Sequence, residues 1–420
     1  MKSKMLLEQF RQEAPGSPYL TGGYLRQLCK RQRRYIPIPK VPLPKIPGLT
    51  GDHQRETLLE CDGWKIQYIE TSHWVVILNP KGLCRAIGKR KQLLAPILGH
   101  IHAQARLAEL GPQESYGIVL CGGGAKGAFQ LGVWKRLEEL GVLDQITGVA
   151  GASVGALNAL LFAQGDYQKA ESLWLSFQDG DLVQPNEKLL GNLASSIGNG
   201  VLKLCLGGAF PAKELLDVLT DWRENWGAFS TEKLEGIVRE NISVEALRRR
   251  PTYVSLAAAI VPRLHKLGKT SAFFQSEYAY LDPLCSEPVE MNVRKVLASA
   301  ALPGAFTPKG VDGKICIDGG ALDNAPAFPL IRAGYRRILV IHLSRRKKEK
   351  KEKKDKQASF EKKLRKKLTD EELAGVTFCH IWPEEKLGDI LKIDPDRTRW
   401  RIQAGYEAAC AQLDSGFFRS

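Results

Sequence analysis

The hydrophobic and polar positions change register three times along the chain. Trp64 to Ile69 and Trp74 to Leu78 alternate enough to predict two short strands, with a turn near Ser72-His73. Ile87 to Leu110 reads as mostly helical, with Pro96 expected to kink or split it. From Tyr116 onward, strands and helices take turns. Strands are predicted at Tyr116–Cys121, Ile146–Ala150, Tyr253–Ile260, Lys314–Ile317, Arg337–Leu343 and Val376–Trp382. Helices are predicted at Lys126–Leu140, with apolar Phe129, Val133, Leu137 and Leu140, and at Val154–Ala163, Tyr167–Phe177, Ala212–Trp226 and Val244–Arg249. Further helices are expected at Arg294–Ala301, closed by Pro303, at Ala327–Ala333 and at Arg397–Leu413. This alternation predicts an α/β fold on a mostly parallel sheet, doubly wound or three-layered. Residues 1–112 form an accessory region, residues 113–420 the principal domain, and no internal repeat is visible.

Composition adds little to that picture, but charge placement adds a good deal. Residues 345–368 hold 14 Lys/Arg against 4 Asp/Glu, and residues 1–50 hold 10 against 2. These two segments exceed the whole chain's net +15, so the body is close to neutral. Two basic appendages suit peripheral contact with an anionic membrane surface or a nucleic-acid backbone. A solvated charged run is the plainer reading. The run at 345–368 interrupts the series before its last strand and helix, and so reads as an insertion. It carries a single aromatic, Phe360, which argues against nucleic acid because base stacking needs more. Prolines at 37, 39, 42, 44 and 47 predict an extended arm over 36–48. Nine cysteines, an odd count with no C-x-x-C pair, predict reduced thiols in a cytoplasmic setting and no zinc site. No run of 18 apolar residues predicts a membrane span, and Met1 to Pro15 lacks a signal-peptide core.

Two glycine motifs carry the chemistry. Ile118-Val119-Leu120 runs into Cys121-Gly122-Gly123-Gly124-Ala125-Lys126-Gly127, a strand entering a loop that opens a helix. Such a loop aims backbone N–H groups at an anion. A dinucleotide site would want a carboxylate at the end of the second strand, where Gly151-Ala152-Ser153 stands instead. Lys126 precedes Gly127 and not Ser or Thr, so the loop is no phosphate-binding P-loop. Gly151-Ala152-Ser153-Val154-Gly155 then satisfies G-x-S-x-G between an apolar strand and an apolar helix, the setting in which a serine hydroxyl is held on a tight turn. A serine needs a base. The best downstream candidate is Asp318, in Cys316-Ile317-Asp318-Gly319-Gly320, although Asp-Gly-Gly by itself is more often a turn.

These three motifs in this order resemble the patatin-like phospholipase family. Ala298-Ser299-Ala300-Ala301-Leu302-Pro303-Gly304-Ala305-Phe306-Thr307-Pro308 resembles that family's segment before the aspartate strand, and Asn324-Ala325-Pro326 also fits. The resemblance covers about residues 116–344 and resumes at 376–413. It implies a patatin-like three-layer α/β/α fold and a Ser153–Asp318 dyad that hydrolyses fatty-acyl esters of phospholipids or related lipids. It also implies an oxyanion hole in the loop of Gly122, Gly123, Gly124, Lys126 and Gly127, with Gly123 and Gly124 as the leading N–H donors. Gly151, Gly155, Gly319 and Gly320 are its elbow and motif glycines, and no cofactor, metal or histidine is required. Two rival readings stand beside it. One is a Ser-Asp-His esterase with His342 or His380 as third member. The other is a non-enzymatic membrane-binding scaffold. Leu189-Leu190, Leu202 to Leu206 and Phe210 suggest either a lid over an acyl channel or plain helical packing.

Overall fold

A computed structural model describes residues 2–33, 55–110, 115–181, 184–185, 229–249, 252–261, 277–281, 289–302, 305–311, 314–346, 356–366, 368–413 and 416–418. The proline-rich arm at 36–48, the helix expected over Ala212–Trp226 and the apolar positions of the suggested lid lie outside these residues. The chain divides into two compact units, Met1–Arg106 and Leu107–Ser420.

The first unit is built on a four-stranded antiparallel sheet, β1 (Arg55–Cys61), β2 (Trp64–Ile69), β3 (Trp74–Leu78) and β4 (Cys84–Lys89), in sequential order. The two central strands have the predicted bounds. Their neighbours escaped notice because β1 is polar and charged at Arg55, Glu56 and Glu60, and the end of β4 falls where the helical pattern from Ile87 begins. Asp62 and Gly63, both at positive φ, turn β1 into β2. Helices Lys2–Glu13 and Gly22–Arg33 precede the sheet and helix Arg90–Leu110 follows it. Pro96 sits inside that last helix without splitting it, and its carbonyl accepts the Tyr24 hydroxyl at 2.9 Å.

The second unit holds an eight-stranded mixed sheet. In chain order its strands are β5 (Tyr116–Leu120), β6 (Ile146–Ala152), β9 (Tyr253–Val261), β10 (Glu277–Leu281), β11 (Lys309–Val311), β12 (Lys314–Asp318), β13 (Arg337–Ile341) and β14 (Thr377–Ile381). A separate two-residue pair, β7 (Gln184–Pro185) and β8 (Phe229–Ser230), intervenes. The spatial order is β11-β12-β9-β6-β5-β13-β14, with β10 paired to β9. The strands from β14 to β9 are parallel, as the alternation predicted. β10, β11 and β12 are antiparallel additions. Every residue of β5 and β6 is buried. Successive side chains leave a strand on opposite faces, so both faces of the sheet are covered and the fold is three-layered. The helices Ala128–Glu139 and Pro395–Gln412 meet through glycines. A Cβ on Gly132 would fall 1.8 Å from the Ile402 carbonyl oxygen, and one on Gly405 would fall 1.9 Å from that of Phe129.

The lysine-rich run is not simply a solvated tether. Lys356–Arg365 is a helix. Phe360, Leu364 and Leu368, four residues apart, are buried along one side, while Lys362, Lys363, Arg365 and Lys366 face outward. The Phe360 ring meets Phe378 and His380 edge-on, with centroids 5.2 and 5.3 Å away.

Candidate active site

Sheet register brings the serine and the aspartate together. Ala152, the last residue of β6, pairs with Ala257 of β9, and Asp318, the last residue of β12, pairs with Ala258. β6 runs parallel to β9 and β12 antiparallel to it. The two chains therefore arrive from opposite directions and stop one residue apart on either side of β9. The Ser153 side chain is near enough to the Asp318 carboxyl to favour its ionised form.

Ser153 occupies φ 56°, ψ −126°, a left-handed conformation that costs a residue with a Cβ about 1–3 kcal/mol. It is one of three non-glycine residues at positive φ among the described residues. The flanking glycines allow the turn. A Cβ on Gly151 would fall 2.1 Å from the Gly155 carbonyl oxygen, and one on Gly155 would fall 2.1 Å from that of Leu120. Ser299, fully buried, ties the turn to both partner strands. Its Oγ accepts the Ser153 N–H at 3.0 Å and donates to the Ala257 carbonyl at 2.5 Å. Its carbonyl accepts the Gly319 N–H at 3.3 Å, and the Ala301 carbonyl accepts the Asp318 N–H at 2.8 Å.

Asp318 is 5% exposed, and burial pushes its carboxyl up from the ordinary 3.8 to about 6. The hydrogen bond from the Gly320 N–H, at 2.6 Å, and the nearby Ser153 side chain pull the other way without cancelling the desolvation.

The glycine loop is clamped at four points. Gln130 Nε2 donates to the Cys121 carbonyl at 2.8 Å. Asn324 spans Gly122, accepting its N–H at 3.0 Å and donating to its carbonyl at 3.3 Å. Ala125 gives its N–H to the Ile390 carbonyl at 2.7 Å, and its own carbonyl accepts from Arg401 at 2.9 Å. Asn158 donates to the Gly127 carbonyl at 3.0 Å, and is itself held by Gln130 and Trp174. Arg401 is fully buried and also donates to the Leu387 and Asp389 carbonyls. Burial and the nearby Arg397 lower its pKa to about 10, so it stays cationic at neutral pH. These clamps occupy the amides of Gly122 and Ala125, and the Lys126 N–H turns back to the Gly123 carbonyl at 3.3 Å. Among the described residues, the N–H groups of Gly123 and Gly124 have no protein acceptor. Gly124 lies at φ 56° with its Cβ position 2.0 Å from the Ile390 carbonyl oxygen. The Lys126 side chain is half-buried, and burial followed by Arg401 lowers its pKa while Asp389 opposes them.

The two histidines pair with each other. His342 Nε2 and His380 Nδ1 are 3.0 Å apart, and the His342 ring stacks on Trp382 at 3.4 Å. His342 Nδ1 faces the Cys121 sulfur at 3.7 Å. Burial, with a smaller contribution from Asp323, pushes the Cys121 thiol well above its ordinary range, so no thiolate forms there. A cavity of about 280 Å³ opens beside this group, with Asn324 on its wall. A broader groove of about 660 Å³ carries Arg345, Arg346 and Trp382 but neither Ser153 nor Asp318.

Sequence reasoning missed Ser299, Gln130, Asn158, Ile390 and Arg401 as parts of this site. Ser299 and Asn324 lie inside quoted motifs and could have been found. Arg401, on the last helix, gave no local signal.

A G-x-S-x-G turn at the end of a parallel strand, a carboxylate one register position away and a clamped glycine loop are the features of a patatin-like α/β fold. The family model for patatin-like phospholipases matches residues 118–331, half of the chain, and the chain belongs to that family. A lysophospholipase NTE1 from Eremothecium gossypii is 26% identical over 255 residues, covering 61% of this chain and 14% of that protein. An uncharacterized NTE family protein of Mycobacterium tuberculosis is 26% identical over 228 residues, covering 54% and 48% of the two chains. The chain thus spans less than half the length of either relative. The crystal structure of VipD from Legionella pneumophila superposes with a TM-score of 0.37 at 16% identity, over 87% of this chain and 72% of that one, too distant to bear on the chemistry.

Proposed function

We propose that residues 113–420 form a lipid acyl hydrolase in which Ser153 is the nucleophile and Asp318 its base. The observation that carries this reading is the sheet register that brings Ser153 and Asp318 to adjacent positions on either side of β9, beside a glycine loop with two N–H groups that have no protein acceptor among the described residues. In the first half-reaction Ser153 Oγ attacks the carbonyl carbon of a fatty-acyl ester while its proton passes to Asp318. The developing oxyanion is met by the Gly123 and Gly124 N–H groups, and one such donor is worth about 10²–10³ in rate. The ester C–O bond breaks and the proton on Asp318 goes to the departing alcohol, leaving an acyl-serine. Water then attacks the acyl carbon, gives its proton to Asp318, and the acid departs as Ser153 recovers that proton.

A carboxylate is ordinarily a poor base for a hydroxyl. The elevated pKa of Asp318 supports the role, because a base nearer neutral pH takes the proton with less of a deficit. The outward lysines of the helix Lys356–Arg365 support peripheral contact with an anionic membrane, by the attraction of about 1 kcal/mol per basic residue near such a surface. Among the described residues no helix is long and apolar enough to cross a membrane. The substrate is proposed to be a phospholipid or related acyl lipid. Mixed lipids incubated with the wild type should yield free fatty acid and the matching deacylated lipid by mass. The Ser153→Ala variant should yield neither, and equal product from both proteins would end the proposal.

A further inference from the structure

We propose that Asn324 is a positioning residue of the glycine loop, and that its carboxamide aims the Gly123 N–H at the place where negative charge develops. This rests on the hydrolase reading above and deepens it. A peptide unit is planar and trans, so the N–H of one residue points opposite the carbonyl of the residue before it. The direction of the Gly123 N–H is therefore set by whatever holds the Gly122 carbonyl. Among the described residues that is Asn324 Nδ2, at 3.3 Å.

Three successive peptide units of the loop are held in different ways. The Cys121–Gly122 unit is gripped at both ends, its carbonyl by Gln130 Nε2 at 2.8 Å and its N–H by Asn324 Oδ1 at 3.0 Å. The Gly123–Gly124 unit is held by the main chain, through the Lys126 N–H on the Gly123 carbonyl at 3.3 Å. The Gly122–Gly123 unit between them is anchored by the Asn324 side chain. A glycine on each side gives this unit wide freedom to turn, so an outside anchor matters here. A carboxamide suits the task because it accepts with Oδ1 and donates with Nδ2, matching the N–H and the carbonyl of Gly122 together. Gly122 leaves room for that approach. A Cβ there would fall 2.6 Å from Asn324 Oδ1 and 2.9 Å from the Ser153 Cβ. Asn324 directly follows the short helix Gly320–Asp323, whose first N–H holds the Asp318 carboxylate at 2.6 Å. One helical turn thus fixes both the base and the loop. Asn324 is itself exposed, so its replacement removes these contacts and little packing.

The test compares full-length Asn324→Asp and Asn324→Ala with the wild type at pH 7.5. Aspartate has nearly the shape of asparagine and still accepts the Gly122 N–H, but when ionised it has no donor and sets a negative charge against the Gly122 carbonyl. The Gly122–Gly123 unit should turn over and carry the Gly123 N–H away from the site. Alanine leaves the unit unanchored without repelling it. In hydrolysis of 4-nitrophenyl octanoate, kcat should fall about 10²–10³-fold in Asn324→Asp, the worth of one oxyanion donor, and about tenfold in Asn324→Ala, with KM kept within about twofold. Binding of an octyl trifluoromethyl ketone, whose adduct with Ser153 carries an oxyanion, should weaken in the same order, while binding of the matching methyl ketone holds. A packing role predicts the reverse order, because aspartate keeps the volume that alanine loses. That reverse order, or equal activity in all three proteins, would overturn the proposal. Crystal structures of the two variants read the peptide orientation without turnover, and an unturned Gly122–Gly123 unit in Asn324→Asp would overturn it as well. A turned unit, with a wild type that neither hydrolyses the ester nor binds the trifluoromethyl ketone, would uphold the anchoring and defeat the hydrolase reading.

Discussion

Asp318→Asn should make the protein more stable and nearly inactive, and the stability gain should depend on pH in a defined direction. The carboxyl is raised from 3.8 to about 6 in the folded protein. The protonated form is therefore the one that folding favours. Its stabilisation is fully present below about pH 3.8 and is lost as pH rises through about 6. Above that window the ionised wild type is less stable than a neutral counterpart by ~3 kcal/mol. Asparagine is neutral throughout. Its Oδ1 can still accept the Gly320 N–H, and its Nδ2 can donate to Ser153 Oγ. Thermal melts of wild type and variant at pH 4 and pH 7.5 isolate the carboxyl, because every other titrating group cancels between the two proteins. The stability difference should move in favour of the variant by about 2 kcal/mol between these pH values. For a unit this large that is a shift of roughly 4 °C in the gap between the two Tm values. The same variant should lose about 10²–10⁴ in kcat, the worth of a general base. In the wild type, kcat/KM should fall on the acid side with a midpoint near 6. A stability gap that stays constant with pH, or near-normal turnover, would refute the reasoning.

Three other outcomes follow from the geometry. Ser299→Ala removes the hydroxyl that links the Ser153 N–H to the Ala257 carbonyl and should lower kcat about tenfold or more with little change in KM. Equal loss in both Ser299→Ala and Ser299→Cys would leave the hydrogen bonds unimplicated. Gly155→Ala should destabilise the protein by several kcal/mol, roughly the upper end of single substitutions, because its Cβ meets the Leu120 carbonyl oxygen; soluble expression with an unchanged melt would contradict this. Charge reversal at Lys362, Lys363 and Lys366 should weaken sedimentation with anionic vesicles and flatten its salt dependence, whereas unchanged binding would remove this helix from the membrane contact.

Elements with strong periodicity were legible from sequence, and those defined by partners were not. β2, β3 and the helix Val244–Arg249 have their predicted bounds. β10 and β11 went unseen. The three-residue β11 is specified by its pairing with β12 and by little of its own sequence. The lysine-rich run looked solvated because its apolar residues are few, yet Phe360, Leu364 and Leu368 are spaced to share one helical side, which the charge count concealed. In the candidate site, the motifs located the serine, the aspartate and the loop. They did not reveal that Gly122 has its amide occupied by Asn324, which leaves Gly123 and Gly124 as the available donors. Nor did they reveal Arg401, one of whose three carbonyl contacts reaches across the chain to Ala125.

The most direct measurement of the central claim is peptide-mapped mass spectrometry of the protein after reaction with a serine-directed fluorophosphonate at pH 7.5. A single adduct should appear on the peptide containing Ser153, forming at least about 100-fold more slowly in Asp318→Asn. An adduct on another residue, or labelling of Asp318→Asn at the wild-type rate, would contradict the Ser153–Asp318 account.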